Sequence, residues 1–219
     1  LEESRPDQLP GYAEGWFQGQ DPAQALVVRF AGMAPGDTVF DPCAAPGGKT
    51  LAFSAGASLV VAGDLARRRL PRLRQNVARL GRDNVRVIIA DAAHPPVRPV
   101  DLVLLDAPCL GTGTFARHPD ARLRVKPEAL VRLVTEQALL LDAVATVVRP
   151  GGVLCYATCS LEPEENSLQV DAFLARHPEF RRQPVSGQWP ATADGDLETL
   201  PHRDGMDGAF AARMVRTAG

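Results

Sequence analysis

Cys109 and Cys159 are the residues whose type and setting most suggest chemistry. Cys109 closes the run Asp106-Ala107-Pro108-Cys109, and Cys159 lies in Ala157-Thr158-Cys159-Ser160. Each follows a short apolar run that reads as a strand, and loops at strand ends are where reactive groups are presented. A thiolate there is a nucleophile. If the two strands are neighbours, both thiols reach one cleft. Cys155, between Leu154 and Tyr156, reads instead as a small core filler, and Cys43 as part of a turn. Cysteine spacings of 66, 46 and 4 residues fit no zinc ribbon or finger, so no metal is expected. Four free thiols suit a reducing cytoplasm.

Asp41, Asp64, Asp91 and Asp106 form a second set, each at or just past the end of an apolar run. One such aspartate is usually a helix cap. Four in succession, with a glycine-rich turn after the first, suggest a nucleoside ligand. An acid after the second strand can accept two hydrogen bonds from a ribose diol, and Asp64 lies 16 residues past Gly48. The turn is Asp41-Pro42-Cys43-Ala44-Ala45-Pro46-Gly47-Gly48-Lys49-Thr50. Its glycines allow close backbone approach, and the amides of the helix that follows can bind a carboxylate. Two look-alikes fail. Gly48-Lys49-Thr50 resembles a phosphate-binding P-loop, but Cys43 stands where the first glycine belongs. Gly111, Gly113 and Ala116 fit a dinucleotide fingerprint in letters, but His118-Pro119-Asp120 is a poor helix start.

Positioning these groups requires an alternating scaffold. Apolar runs at 38–41, 59–64, 85–91, 101–106 and 152–156 predict strands covered on both faces. Helices are expected at 22–33, 49–55, 66–80 and 127–148, with Pro22 and Pro127 in first turns and Gly81 and Gly151 at exits. The alternation predicts a doubly wound α/β sheet. A further helix is expected at 166–175 and a closing antiparallel strand at 208–216. The irregular segments 1–20 and 184–206 are candidate lids or appendages. No apolar run reaches the ~18 residues of a membrane span.

Net charge is −2 over 219 residues, which taken alone counts against a nucleic-acid partner. Divided along the chain it is −4 over 1–63, +7 over 64–132 and −5 over 133–219. The central block, with Arg67, Arg68, Arg69, Arg72 and Arg74, is either a solvated helix face or a phosphate-binding surface.

The stretches DPCAAPGGKT (41–50), DAPCLGTGTFARHPD (106–120), YATCSLEPEEN (156–166) and DGMDGAFAARM (204–214) resemble the signature blocks of the Sun/nucleolar-protein type RNA 5-methylcytosine methyltransferases. The resemblance runs from about residue 19 to 216. Both cysteine motifs, in order and in register with the acids, make it specific. Leu110 stands where a serine is common, and Leu123-Arg124 where Trp-Arg is common. The resemblance implies a mostly parallel, Rossmann-like class I methyltransferase sheet of about seven strands with helices on both faces. It implies a catalytic domain over 21–219, with 1–20 an extension or the remnant of an RNA-binding region. S-adenosylmethionine would be held by Cys43, Ala44, Ala45, Pro46, Gly47, Gly48 and Lys49 at its methionine end. Asp64 would sit at the ribose, Asp91 on the adenine side and Asp106 at the edge facing the cytosine. Cys159 would attack carbon 6 of cytosine, Cys109 would assist release, and Asp106 would bond the ring. The expected partner is an unstacked cytosine in ribosomal RNA ahead of transfer RNA. The protein is expected to be monomeric and cytoplasmic, with neither metal nor membrane contact. Lys49 is as readily a helix-start ion pair as a catalytic group.

Other readings are a methyltransferase of another target and a non-catalytic, cofactor-binding RNA assembly factor. DNA cytosine enzymes use the Pro-Cys cysteine as nucleophile, which the Thr158-Cys159 motif argues against. Amino-group enzymes place an Asn/Asp-Pro-Pro-aromatic run where this chain has Asp106-Ala107-Pro108-Cys109.

Overall fold

The computed structural model describes residues 6–117 and 119–218, with Arg124 described by its backbone alone. Eight strands form one sheet among these residues: β1 (Thr38–Asp41), β2 (Leu59–Asp64), β3 (Val85–Ile89), β4 (Val100–Asp106), β5 (Val148–Thr158), β6 (Phe180–Arg182), β7 (Leu197–Thr199) and β8 (Ala209–Arg216). The order is β3-β2-β1-β4-β5-β8-β6, with β7 also paired to β8. β1 to β5 are parallel, and β8 runs antiparallel to β5, β6 and β7. This is the expected doubly wound α/β fold. The chain order reverses at β1, so the carboxyl ends of β1 and β4 flank the switch point where such sheets bind ligands.

Side-chain alternation divides the core into two layers. Val39, Leu102, Leu104, Cys155 and Ala157 face one side, packing with α1 (Pro22–Ala31), α2 (Gly48–Phe53) and α3 (Leu70–Arg79). Phe40, Val103, Leu105, Leu154 and Tyr156 face the other, under α4 (Pro127–Ala145) and α5 (Ser167–Arg176). Both faces are buried, which is why these strands read as continuous apolar runs. Burial of side chains the size of Phe40, Phe173 and Tyr156 contributes about 1.5–3 kcal/mol each. Asp21 caps α1 by accepting from the Ala23 amide at 2.9 Å, and Gly32 ends it with φ 63°. Cys155 is fully buried in this core, and burial pushes its thiol up to about 12.

Three expectations about helix ends and starts are corrected. The helix expected over 127–148 stops at Ala145, and β5 begins at Val148. Gly151, expected as a helix exit, has φ 75° and lies where β5 is out of register with β4, between the Val100–Val148 and Leu102–Val153 pairs. The helix expected from residue 66 starts as a 3₁₀ turn, Arg67–Arg69, and becomes α-helical at Leu70. Both irregular segments, over the described residues, pack on the fold. Residues 6–20 lie on α3, where Arg79 donates to the Tyr12 and Phe17 carbonyls at 2.7 and 3.0 Å. Residues 184–206 hold β7, the short α6 (Pro201–Asp204) and Trp189, whose ring meets Phe30 at 5.5 Å.

Candidate active site

A cavity of about 490 Å³ opens at the carboxyl ends of β1, β2 and β4. Cys43, Asp64, Asp91, Asp106, Cys109 and Cys159 all line it. Its wall includes no residue of 6–20 or 184–206. The cysteines are brought together as the strand order requires. Asp106 pairs with Ala157 across β4 and β5, so the chain leaves both strands side by side. The Cys109 and Cys159 sulfurs are 3.4 Å apart. The two thiols differ. Accepting a hydrogen bond from Cys109 holds Cys159 below the ordinary thiol range, with help from the Lys49 charge and against burial and Asp106. The bond to Cys159 and desolvation hold the half-buried Cys109 well above that range. Of the pair, Cys159 is the more readily ionised thiol.

Asp106 ends β4 and accepts from Lys49 Nζ at 2.7 Å. Lys49 is in the first turn of α2, its side chain only 11% exposed. Burial opposes its charge, but Asp106 outweighs this and raises its pKa. Asp41 ends β1 beneath this pair, accepting from Thr50 at 2.6 Å, while its Oδ1 is buried with no hydrogen-bond partner among the described residues. Burial pushes the Asp41 carboxyl up to about 7, against the Thr50 bond and reinforced by the nearby Asp106. Gly47 starts α2 at φ 111°, a conformation that favours glycine. Cys43 is half-buried, and desolvation together with Asp41, Asp106 and Asp64 pushes its thiol far up.

Asp64 is oriented by three groups. Its Oδ1 accepts from the Ala66 amide at 2.8 Å. Its Oδ2 accepts from the Ala45 amide at 3.3 Å and lies 3.3 Å from Arg69 Nη1. Arg69 also donates to the Ala45 carbonyl, tying the turn after β1 to the loop after β2. Asp91 lies two residues past β3, where its Oδ1 accepts from the Ala93 amide at 2.9 Å. That bond, with one from His94, lowers its pKa. Of the turn expected to hold the cofactor, Cys43 and Ala45 line the cavity and Ala44, Pro46, Gly47, Gly48 and Lys49 do not; Asn76 donates to the Pro46 carbonyl at 3.2 Å from α3. Leu65, Ala92 and Leu140 supply apolar wall.

Several groups that shape the site were not singled out in the sequence. Glu165 is fully buried and bonds the loop after Cys109. Arg117 and Asp207 pair across the loops after β4 and before β8, with Asp21 3.9 Å from Arg117. Thr158 donates to Asn166 at 2.5 Å, and Asn166 donates to the Ser160 carbonyl at 3.0 Å, fixing the backbone on both sides of Cys159. Only the Glu-Glu-Asn run at 164–166, so soon after Thr158-Cys159, hinted at this support.

A family model described as "16S rRNA methyltransferase RsmB/F" matches residues 31–215. Ribosomal RNA small subunit methyltransferase B of Pseudomonas syringae pv. tomato is 40% identical over 96% of this chain and 49% of its own length. That of Thermus thermophilus is 40% identical over 91% of this chain and 50% of its own. The chain thus spans about half the length of the curated relatives it matches. The crystal structure of NSun6 from Pyrococcus horikoshii with SFG superimposes with a TM-score of 0.88 at 25% identity, covering 97% of this chain and 56% of that one. The crystal structure of PH0851 gives 0.91 at 33% identity, over 96% of this chain and 49% of that one.

Proposed function

The chain belongs to the 16S rRNA methyltransferase RsmB/F family, and from that premise we propose that it methylates carbon 5 of a cytosine in ribosomal RNA, in the cytoplasm, with S-adenosylmethionine as donor. The observation that carries the reading is the thiol pair at 3.4 Å, with Cys159 the more readily ionised of the two, beside the Asp106–Lys49 pair at one cavity. An amino-group methyltransferase needs no such pair.

Carbon 5 of cytosine is a poor nucleophile. The Cys159 thiolate adds to carbon 6, and the ring electrons then make carbon 5 an enamine carbon able to take a methyl group. Asp106 bonds nitrogen 3 and the exocyclic amine as charge builds on the ring. Lys49 donates to Asp106 and offsets the carboxylate charge, and the proton that nitrogen 3 takes as the adduct forms passes from Lys49 through Asp106. After methylation the carbon 5 proton leaves, the double bond re-forms and the bond from carbon 6 to Cys159 sulfur breaks. Cys109 assists that release. The target must leave its stack to reach a cavity of this depth.

The donor set fits S-adenosylmethionine. The ~490 Å³ cavity is in the range of small-molecule sites. Asp64, already oriented, keeps free lone pairs for the ribose hydroxyls, and Asp91 lies towards the adenine. The turn 43–49, with the unpartnered Asp41 Oδ1 at its base, holds the methionine end. When bound, the cofactor supplies an electrophilic methyl group. The SFG of the Pyrococcus NSun6 structure, an analogue of S-adenosylmethionine, supports this assignment. The test is methylation of unmodified 16S ribosomal RNA and transfer RNA with the product base mapped. The reading expects 5-methylcytosine in ribosomal RNA. A methyl group on an amino nitrogen, or product in transfer RNA alone, contradicts it.

A further inference from the structure

Glu165 is a fully buried carboxylate bonded by neutral donors. Burying such a group is costly, and its bonds converge on one loop. The Leu110 amide donates to both Glu165 oxygens, at 3.1 and 3.2 Å. Gln137, fully buried on α4, donates its Nε2 to the Pro108 carbonyl and to Glu165 Oε1, both at 2.9 Å. The Pro108 carbonyl belongs to the peptide unit before Cys109, and the Leu110 amide to the unit after it. Both peptide units that flank the thiol are therefore held by this pair. The pair is itself anchored. Tyr156 donates to the Glu165 carbonyl at 2.7 Å, and Gln169 donates to Val134 of α4 at 2.7 Å.

We infer that Glu165 and Gln137 are positioning residues that fix Cys109 against Cys159 for release of the methylated product. The inference rests on the roles proposed above for the two cysteines. In release the carbon 5 proton passes to water, its electron pair re-forms the double bond, and the carbon 6–sulfur bond breaks. Cys159 departs as a thiolate, stabilised by the hydrogen bond from the Cys109 thiol. For that, Cys109 must stay protonated and 3.4 Å away. The buried Glu165 charge works in the same direction, adding to the bond to Cys159 and burial that raise the Cys109 thiol.

Glu165→Gln tests this. An amide there keeps the Gln137 bond when its oxygen takes the Oε1 position, but it sets an NH₂ group against the Leu110 N–H at Oε2, so the Leu110 tether is weakened and the charge is lost. The variant, wild type and Cys109→Ala are incubated with an unmodified 16S ribosomal RNA transcript and S-adenosylmethionine. Adduct is read on denaturing gels, and methyl transfer in the first turnover and at steady state. Glu165→Gln should accumulate protein–RNA adduct and slow steady turnover by about tenfold or more, with the first turnover little changed. If Cys109→Ala traps adduct and Glu165→Gln does not, the positioning role is wrong while the roles of the cysteines stand. If Cys109→Ala traps none, those roles fail and the inference falls with them. An RNA-free measurement uses iodoacetamide on the folded chain, with the two cysteines quantified by peptide mass. Wild type should alkylate mainly at Cys159, and Glu165→Gln should shift the share towards Cys109 by about threefold or more. An unchanged partition overturns the inference.

Discussion

Asp41 ends β1 with one oxygen on Thr50 at 2.6 Å and the other buried without a hydrogen-bond partner. Burial raises its carboxyl from 3.8 to about 7. An acid raised in the folded state contributes stability that is fully present below its unfolded pKa and lost as pH rises through its folded one. Without cofactor, Asp41 should therefore make the protein lose stability between about pH 4 and pH 7, by up to roughly 4 kcal/mol. Denaturant unfolding of Asp41→Asn should lack that fall, and parallel wild-type and variant curves would refute the assignment. At the ribose end, Asp64→Ala should weaken S-adenosylmethionine binding by about tenfold or more, measured by calorimetry. Affinity within twofold of wild type would place the ribose elsewhere. The cysteines and strand-end acids were legible because the chemistry dictates their types. Glu165 was not, because Glu162, Glu164 and Glu165 look alike in sequence and only the last is buried.

At the scale of elements, Cys159 depends on three loops that meet behind it. The Gly113 amide donates to the Cys159 carbonyl at 2.9 Å, and the Gly208 amide donates to the Gly113 carbonyl at 2.8 Å. A Cβ on Gly113 would lie 2.6 Å from the Gly208 carbonyl oxygen. Gly113→Ala should therefore cost about 1–3 kcal/mol and lower the melting temperature by several degrees. It should also slow methyl transfer by shifting the Cys159 backbone. Wild-type melting and turnover together would show that the loops do not bear on the thiol. The Gly111 and Gly113 pattern, which matches a dinucleotide fingerprint only in letters, forms a 3₁₀ turn at Thr112–Thr114, with Gly111 at φ 71° and Gly113 placed for backbone crossing. The parallel strands and major helices were legible from apolar runs and proline placement. β6 and β7 were not, because each is three residues long, in or beside the proline-rich stretch, and owes its conformation to pairing with β8.

Across the whole molecule, the −2 total conceals where charge lies. Arg69 and Arg79 of the cationic block are structural, holding Asp64 with the Ala45 carbonyl and the segment 6–20 respectively. Arg67 and Arg68 are exposed in the 3₁₀ turn that also carries the cavity residue Arg69, and Arg72 and Arg74 are exposed on α3. Replacing these four by glutamine should weaken RNA binding and reduce the slope of log affinity against log salt by up to about 3. An unchanged slope would mark them as a solvated surface. Every scale bears on one claim, that Cys159 attacks and Cys109 releases. Its most direct test is to incubate Cys109→Ala and Cys159→Ala with unmodified ribosomal RNA and S-adenosylmethionine and to look for protein–RNA adduct on denaturing gels. Cys109→Ala should accumulate the adduct, and Cys159→Ala should form none and lose methylation. Adduct from Cys159→Ala, with none from Cys109→Ala, would contradict the account.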